Sequence, residues 1–381
     1  MRIALVVTGG VDRSGRDRVI PSLLWLVERI ARRHAVSVFV LRYLDAPATY
    51  PLLGATVHDL GRPEGARRQR AALARALAAH GPFDVIHAYW AQPAGRVVAP
   101  LARRLGIPSI VTLDSGEFAS VPQAGYGLQR TARGRWAVRL ASRWATRVTV
   151  CSAFQAALAR QHGLEPVVIP LGVDTGLFVE RSAQPVDTPY RLLHVASLNP
   201  VKDQRTLLTA FAQLRTRGLD AHLDVVGEDT LGGTLETLAA GLGVRDHVTF
   251  HGFLPSEALV ALHHAAHLFV LSSLHEAAGV VLLEAAACGV PIVGTAVGYV
   301  ADWTPDAAVA VPPGDAGALA AAIEALLRDP GRRQRLAGAA AAWARAHDAN
   351  ATAARFEALY ESLDRHHSAA RLRDWLMLMR R

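Results

Sequence analysis

The chain has 381 residues, 51% of them apolar and 19% charged, with a formal net charge of +8. Such a length predicts two domains rather than one core, and the apolar fraction excludes a disordered chain. The only two cysteines, Cys151 and Cys288, lie far apart. That excludes a disulfide framework and a cysteine metal site, and it points to a reducing compartment.

The opening "MRIALVVTGG" has only about seven apolar residues before a glycine pair, so it reads as a first β-strand and not as a signal peptide. "AVSVFVL", "DVIHA", "PSIVTL", "RVTVCS" and "PVVIPLG" follow as short strands bounded by Gly or Pro. Helical Ala/Leu/Arg segments at 17–33, 65–80 and 94–105 lie between them. The polar, proline-bearing "VERSAQPVDTPY" at 179–190 reads as a linker. A second series then runs through "RLLHVAS", "HLDVVG", "HVTFHG", "HLFVLSS", "VPIVGT" and "AAVAVPP". Alternation of this kind predicts an α/β fold of two Rossmann-like domains with parallel sheets and a crevice between them. The expected boundaries are 1–183, 184–354 and a helical tail at 355–381 that packs back toward the first domain. The apolar run at 277–301 is long enough to span a bilayer, but Glu284, Gly289 and Pro291 divide it into helix, turn and strand.

Charge is uneven along this plan. Residues 1–185 carry 24 arginines against 12 acids, whereas residues 186–354 carry 11 basic and 17 acidic side chains. A basic half calls for an anionic partner, usually nucleic acid or a membrane surface. No recognised nucleic-acid module is present, so nucleic acid is not expected. In residues 130–147, Arg135, Arg139, Arg143 and Arg147 recur every four residues beside Trp136, Leu140 and Trp144. This pattern suits a basic amphipathic helix on an anionic membrane, and equally a surface helix whose Trp stripe packs on the sheet.

Four stretches bear on chemistry. In "LHEAAGVVLLEAAACGVPIVGT", residues 274–295, Glu276 and Glu284 interrupt an apolar run, where an unpaired charge is costly. The pattern places Glu276 in a loop and Glu284 inside the following helix, about 12 Å apart. Between them the free amides of Ala278, Gly279 and Val280 form an anion site. Carboxylates take hydroxyls and amides take phosphate, so the set could hold a sugar, a diphosphate and a ribose; a plain Glu284–Arg pair is the alternative. Lys202, the only lysine in the sequence, precedes a helix beginning near Asp203 and suits a phosphate as a compact point charge. Gly9 and Gly10 allow close backbone approach after the first strand, or simply a tight turn. "VIPLGVDTGLF", residues 168–178, contains a turn that Asp174 can cap.

Together these stretches resemble the retaining glycosyltransferases of family 4, the group 1 transferases, over most of the chain. "EAAGVVLLEAAACGVPIVGTAVG" matches that family's paired-glutamate signature, "VIPLGVDTGLF" its P-x-G-V-D turn, and "VASLNPVKDQRTLLTAFAQL" its lysine-bearing donor loop. The resemblance implies a GT-B fold, a nucleotide-diphosphate sugar donor on the C-terminal half, a hydroxyl acceptor on the N-terminal half, retention of configuration, and no required metal or cofactor. It implies that Glu284 binds the ribose, that Glu276 holds the transferred sugar, and that Lys202 meets the diphosphate. Ala278, Gly279 and Val280 would face sugar and phosphates, with Gly9 and Gly10 reaching the donor from the other domain. Two departures stand out. Ala196-Ser197-Leu198 replaces the usual Gly-Arg-Leu, which puts Ser197 at the donor in place of a cation and leaves Arg205 or Arg16 as substitutes. Asp114 stands where many members carry His, giving catalytic candidates Glu276, Asp114 and Lys202, with Glu117 and His87 as acceptor-side candidates. A metal-independent hexosyltransferase acting on a glycolipid, polysaccharide or small molecule is therefore expected, cytoplasmic or on the inner face of the membrane. The alternatives are an epimerase or phosphorylase, although a phosphorylase would want a lysine near its C-terminus. A third is a non-catalytic nucleotide-sugar-binding partner of another transferase.

Overall fold

The computed structural model describes residues 1–182, 185 and 188–378, with residues 365–378 by backbone alone. The first sheet contains β1 (Arg2–Val7), β2 (Ala35–Val40), β3 (Ala48–Leu52), β4 (Ala55–Asp59), β5 (Val85–Tyr89), β6 (Ser109–Thr112), β7 (Arg147–Val150) and β8 (Val167–Val168). Their order is β3-β4-β2-β1-β5-β6-β7-β8. The second sheet contains β9 (Tyr190–Val195), β10 (Ala221–Val226), β11 (Val248–Phe250), β12 (Leu268–Leu271), β13 (Ile292–Thr295) and β14 (Ala308–Val311), in the order β11-β10-β9-β12-β13-β14. Every pairing is parallel except β3 with β4. Parallel strands are covered on both faces, which is why most of them are near-continuous apolar runs. In β1, Ile3 to Val7 are all fully buried.

The first sheet is covered by α1 (Pro21–Ala31), α2 (Gly65–His80), α3 (Arg96–Leu105), α4 (Ala132–Trp144) and α5 (Ala153–Gln161). With the second go α6 (Gln204–Thr216), α7 (Thr234–Gly241), α8 (Ser256–Ala265), α9 (Val280–Ala287), α10 (Gly298–Trp303), α11 (Ala316–Arg328) and α12 (Pro330–Ala346). All twelve strand-like runs singled out from the sequence lie on strands. The β3–β4 hairpin is the exception in the other direction, because its signals conflict. Pro51 argues against a strand, yet it is tolerated because β3 is the sheet's edge. Leu53 (φ 50°) and Gly54 (φ 82°) make a two-residue turn with positive φ at both positions, where Leu is an unusual occupant.

Strand order reverses between β1 and β5 in one sheet and between β9 and β12 in the other. Ligands of doubly wound sheets bind beyond the carboxyl ends at these switch points. The loops that matter are therefore those after β1, β5, β9 and β12.

The last helix, α13 (Ala349–Leu378), leaves the second sheet's side and packs on α1 and β5. Phe356, Tyr360 and Leu363 are buried in one cluster with Leu5, Val27 and Ile30. Arg33 pairs with Glu357 at 2.9 Å. The expected boundary at 183/184 and the tail residues 379–381 lie outside the described residues. The crossover into α13 is pinned to the turn before the linker: Ala349 N donates to Val173 O at 2.9 Å and Thr352 Oγ1 to Pro170 O at 2.8 Å. Arg29 adds a buried anchor, bonding Asn350 Oδ1 at 2.9 Å and pairing with Asp174 at 3.2 Å. A Cβ on Gly172 would overlap the Asp348 carbonyl. Gly172→Ala should therefore cost about 1–3 kcal/mol of stability, as overpacking does, read as a lowered thermal midpoint.

Candidate active site

The loops after β9 and β12 meet at the switch point. After β9 the chain runs Ala196 to Lys202, and Asp203 takes a left-handed conformation (φ 48°) and caps α6 through Thr206 N. After β12 it runs Ser272 to Gly279, and Gly279 (φ 88°) turns the backbone into α9. Only glycine adopts that conformation readily. Leu274 N donates to Val201 O at 2.8 Å, and Ser272 Oγ to Lys202 O at 2.8 Å, so the two loops form one unit.

On this unit Lys202 Nζ lies 2.5 Å from Glu276 Oε1, and Ser273 Oγ donates to the same oxygen at 2.7 Å. Both partners are partly exposed, the lysine side chain at 24% and the glutamate at 11%. The amides of Ala278, Gly279 and Val280 make no described hydrogen bond, as the first turn of a helix requires. Glu284, inside α9, is 3% exposed, and neither of its carboxylate oxygens accepts a hydrogen bond among the described residues. His263 Nε2 is 3.9 Å from Glu284 Oε2, and among the described residues no arginine pairs with either glutamate. Ser197 is exposed, and only its carbonyl is engaged, by Gln204 Nε2 at 3.2 Å. Arg205 stands exposed in the first turn of α6 with no described ion pair, while Arg16 reaches across to Glu257 at 3.9 Å.

The first sheet contributes from its own loops. Gly9 packs near Tyr43, and Gly10 (φ 82°) leaves no room for a side chain against Ile20. Asp114 follows β6; its Oδ1 is buried without a hydrogen-bond partner among the described residues. Burial, reinforced by the Glu117 carboxylate, raises the Asp114 carboxyl to about 7. Contacts from the Glu276 loop and from α10 tie this lobe to the second. The Ser152 hydroxyl donates to the Ala277 carbonyl. His275 Nε2 lies 3.4 Å from Ser115 O. Asp302 of α10 accepts from Ala153 N at 2.8 Å and Phe154 N at 2.7 Å, capping α5.

Residues 179–343 match the family profile described as glycosyl transferases group 1, and residues 19–172 match a glycosyl transferase 4-like domain. The chain is 32% identical over 272 residues to a GDP-mannose-dependent alpha-(1-6)-phosphatidylinositol monomannoside mannosyltransferase of Mycolicibacterium smegmatis, covering 65% of this chain and 68% of that one. It is 32% identical over 318 residues to a D-inositol 3-phosphate glycosyltransferase of Frankia alni, covering 73% and 74%. The chain belongs to the group 1 glycosyltransferases. Its fold is GT-B: a sucrose-phosphate synthase from Thermosynechococcus elongatus superposes with a TM-score of 0.81 at 22% identity, over 95% of this chain and 99% of that one. An Anabaena protein, HepE, in complex with UDP-glucose superposes at 0.73 with 20% identity, over 95% and 100%.

Two acceptor-side candidates of this glycosyltransferase, His87 and Glu117, are buried. His87 is fully buried, with Nδ1 at 2.7 Å from Tyr360 OH and Nε2 at 2.6 Å from Thr112 Oγ1. Burial pushes its imidazole down to about 3. Neutral and with both ring nitrogens engaged, it ties α13 to the sheet. Glu117 is 1% exposed, and its oxygens accept from Ala91 N at 3.1 Å and Ser115 N at 2.8 Å. It shapes the loops after β5 and β6 from beneath. A residue that sequence reasoning passed over is Asp12, just after the glycine pair. It accepts from Ser14 N at 2.9 Å and Tyr43 OH at 2.7 Å and pairs with Arg18 at 3.1 Å. The Ser14 amide, with smaller help from Tyr43 and Arg18, holds its carboxyl down at about 2. The Asp-x-Ser spacing is an Asx-turn signal that could have been read.

Because the folded-state pKa of Asp114 lies above its unfolded value, the folded chain holds that proton more tightly. Stability is then higher at low pH and is lost as pH rises from the ordinary carboxylate range through about 7. Asp114→Asn should flatten that decline by on the order of 4 kcal/mol, measured as thermal midpoint against pH for both proteins.

Proposed function

We propose that this glycosyltransferase is a retaining hexosyltransferase that moves a sugar from a nucleotide-diphosphate sugar to a hydroxyl acceptor. The observation that carries the reading is the Lys202–Glu276 contact beside the uncommitted amides that open α9. A glycosyl transition state builds negative charge on the departing diphosphate and positive charge on the sugar ring. Lys202 and the α9 amides supply fixed positive charge for the first, without a metal being needed for that role. Glu276 is positioned to take hydroxyls of the transferred sugar once Lys202 turns to phosphate, and Glu284 to take the donor ribose. Asp114, on the opposite lobe, is the candidate to accept the acceptor's proton. Retention is inferred from the paired-glutamate resemblance. The relatives' names support a nucleotide-sugar donor: one is GDP-mannose-dependent, and a structural neighbour was crystallised with UDP-glucose.

A charge-assisted contact is worth roughly 1.5–3 kcal/mol, so Lys202→Ala should lower turnover by about one to two decades. The direct test is a panel of nucleotide sugars, including UDP-glucose and GDP-mannose, scored for released nucleoside diphosphate and for a raised thermal midpoint. A donor should stabilise the fold by mass action. No stabilisation and no release with any of them would overturn the reading. Binding without transfer or hydrolysis would favour a non-catalytic nucleotide-sugar-binding partner.

The site of work is inferred to be the cytoplasmic face of an anionic membrane. No helix among the described residues is long and apolar enough to cross one. Helix α4 buries Gly134, Ala137, Val138 and Ala141, packing chiefly on α3, and leaves Arg135, Arg139 and Arg143 exposed. Its aromatic stripe divides: Trp144 packs on the core, whereas Trp136 stays 56% exposed. An exposed tryptophan among arginines suits the headgroup boundary. Co-sedimentation with anionic vesicles is expected at low salt, weakened by added salt and by Trp136→Ala; no binding at low salt would remove this part.

A further inference from the structure

A polar cavity lies in the first lobe, apart from Lys202 and the glutamates. Its volume is about 680 Å³, and four arginines line it: Arg42, Arg62, Arg96 and Arg133. Arg42 follows β2, Arg62 follows β4, Arg96 opens α3 and Arg133 lies in the first turn of α4. The cavity therefore sits at the carboxyl ends of the strands, where doubly wound sheets take their ligands. Glu64 is the one carboxylate on its lining, and its described ion pair is with Arg68, at 3.9 Å.

The charges here are poorly compensated. Arg62 is fixed by Asp45 at 3.2 Å and by the Tyr43 carbonyl. Arg42, Arg96 and Arg133 have no ion pair among the described residues. Burial, with Arg133 and Arg70 close by, lowers the Arg96 guanidinium below its ordinary value. Arg96 Nε and Gln69 Oε1 are both buried with no hydrogen-bond partner among the described residues, and Gln69 as a whole is 3% exposed. Like charges brought together and polar atoms left unpaired both cost stability unless a ligand of opposite character answers them. Guanidinium forks match phosphate oxygens, and an amide oxygen accepts a hydroxyl.

One wall of the cavity belongs to a loop that Glu117 holds in place. Gln92 and Pro93 on its wall belong to the loop after β5. One residue before Gln92, the Ala91 amide is held by Glu117. Trp90, the first residue of that loop, sits at φ 67°, an uncommon conformation for a bulky residue.

We propose that this cavity receives a phosphate carried by the acceptor, so that the acceptor is a phosphorylated polyol, with Arg96 and Arg133 gripping the phosphate. The identification as acceptor rests on the donor reading above; the cavity's preference for a phosphorylated polyol does not. The phosphate could belong to a free polyol phosphate or to a lipid headgroup, and the test separates them.

The full chain is titrated calorimetrically with inorganic phosphate, glucose 6-phosphate, myo-inositol 1-phosphate and unphosphorylated myo-inositol, and with vesicles of phosphatidylcholine with or without phosphatidylinositol. UDP and GDP are titrated into the same preparations. At least one phosphorylated probe should bind, tenfold or more tightly than the unphosphorylated polyol. Its affinity should fall at least tenfold in Arg96→Gln and in Arg133→Gln. Arg133 is exposed on α4, so its variant keeps the test valid even if the Arg96 variant unfolds. Binding of the soluble phosphates identifies a free acceptor; binding only to phosphatidylinositol vesicles identifies a headgroup. If no phosphorylated probe binds, or if affinity is unchanged in both variants, the proposal is wrong. Nucleotide binding with no phosphate binding would sink this inference alone, whereas phosphate binding with no nucleotide binding would sink the donor reading and leave the cavity's assignment standing.

Discussion

The contact between Lys202 and Glu276 organises the second lobe's working edge. It joins the loop after β9 to the loop after β12 across the switch point of the sheet. The two charges neutralise each other in a position that is neither sealed nor fully solvated, so each can be exchanged for a ligand group. A pair closed over by arginine would hold its carboxylate permanently. Here Ser273 and Lys202 are the only described partners of Glu276, and both can be displaced without unfolding an element.

Much of this was legible in the sequence, for identifiable reasons. Parallel strands buried on both faces announce themselves as uninterrupted apolar runs, and the glutamates stood out because charge is rare in such surroundings. What escaped notice depended on contacts far apart in the chain. His87 looked like a strand-end functional histidine; its partner Tyr360 lies on a helix that returns from the other lobe. Glu117 looked available because nothing local revealed that the Ala91 and Ser115 amides converge on it. The β3–β4 hairpin was hidden by a proline that only an edge strand tolerates. Asp12 and the arginines around the cavity were visible as residues, but their grouping is a product of the fold.

The charge asymmetry between the halves now has a location. Arginine in the first lobe gathers on the exposed side of α4 and around the cavity that Arg133 of the same helix enters. The second lobe, with its acidic excess, keeps one lysine and puts it in the loop after β9.

Helix α13 carries a consequence for how the molecule comes into being. Ala353, Phe356, Tyr360 and Leu363 complete a hydrophobic cluster otherwise built from the first sixth of the chain and its neighbouring strands. As the polypeptide leaves the ribosome, that cluster stays open on one side until nearly two hundred further residues have followed Ile169. The first lobe is thus made early and finished last, and in the interval its bare apolar flank is a surface for chaperones to cover.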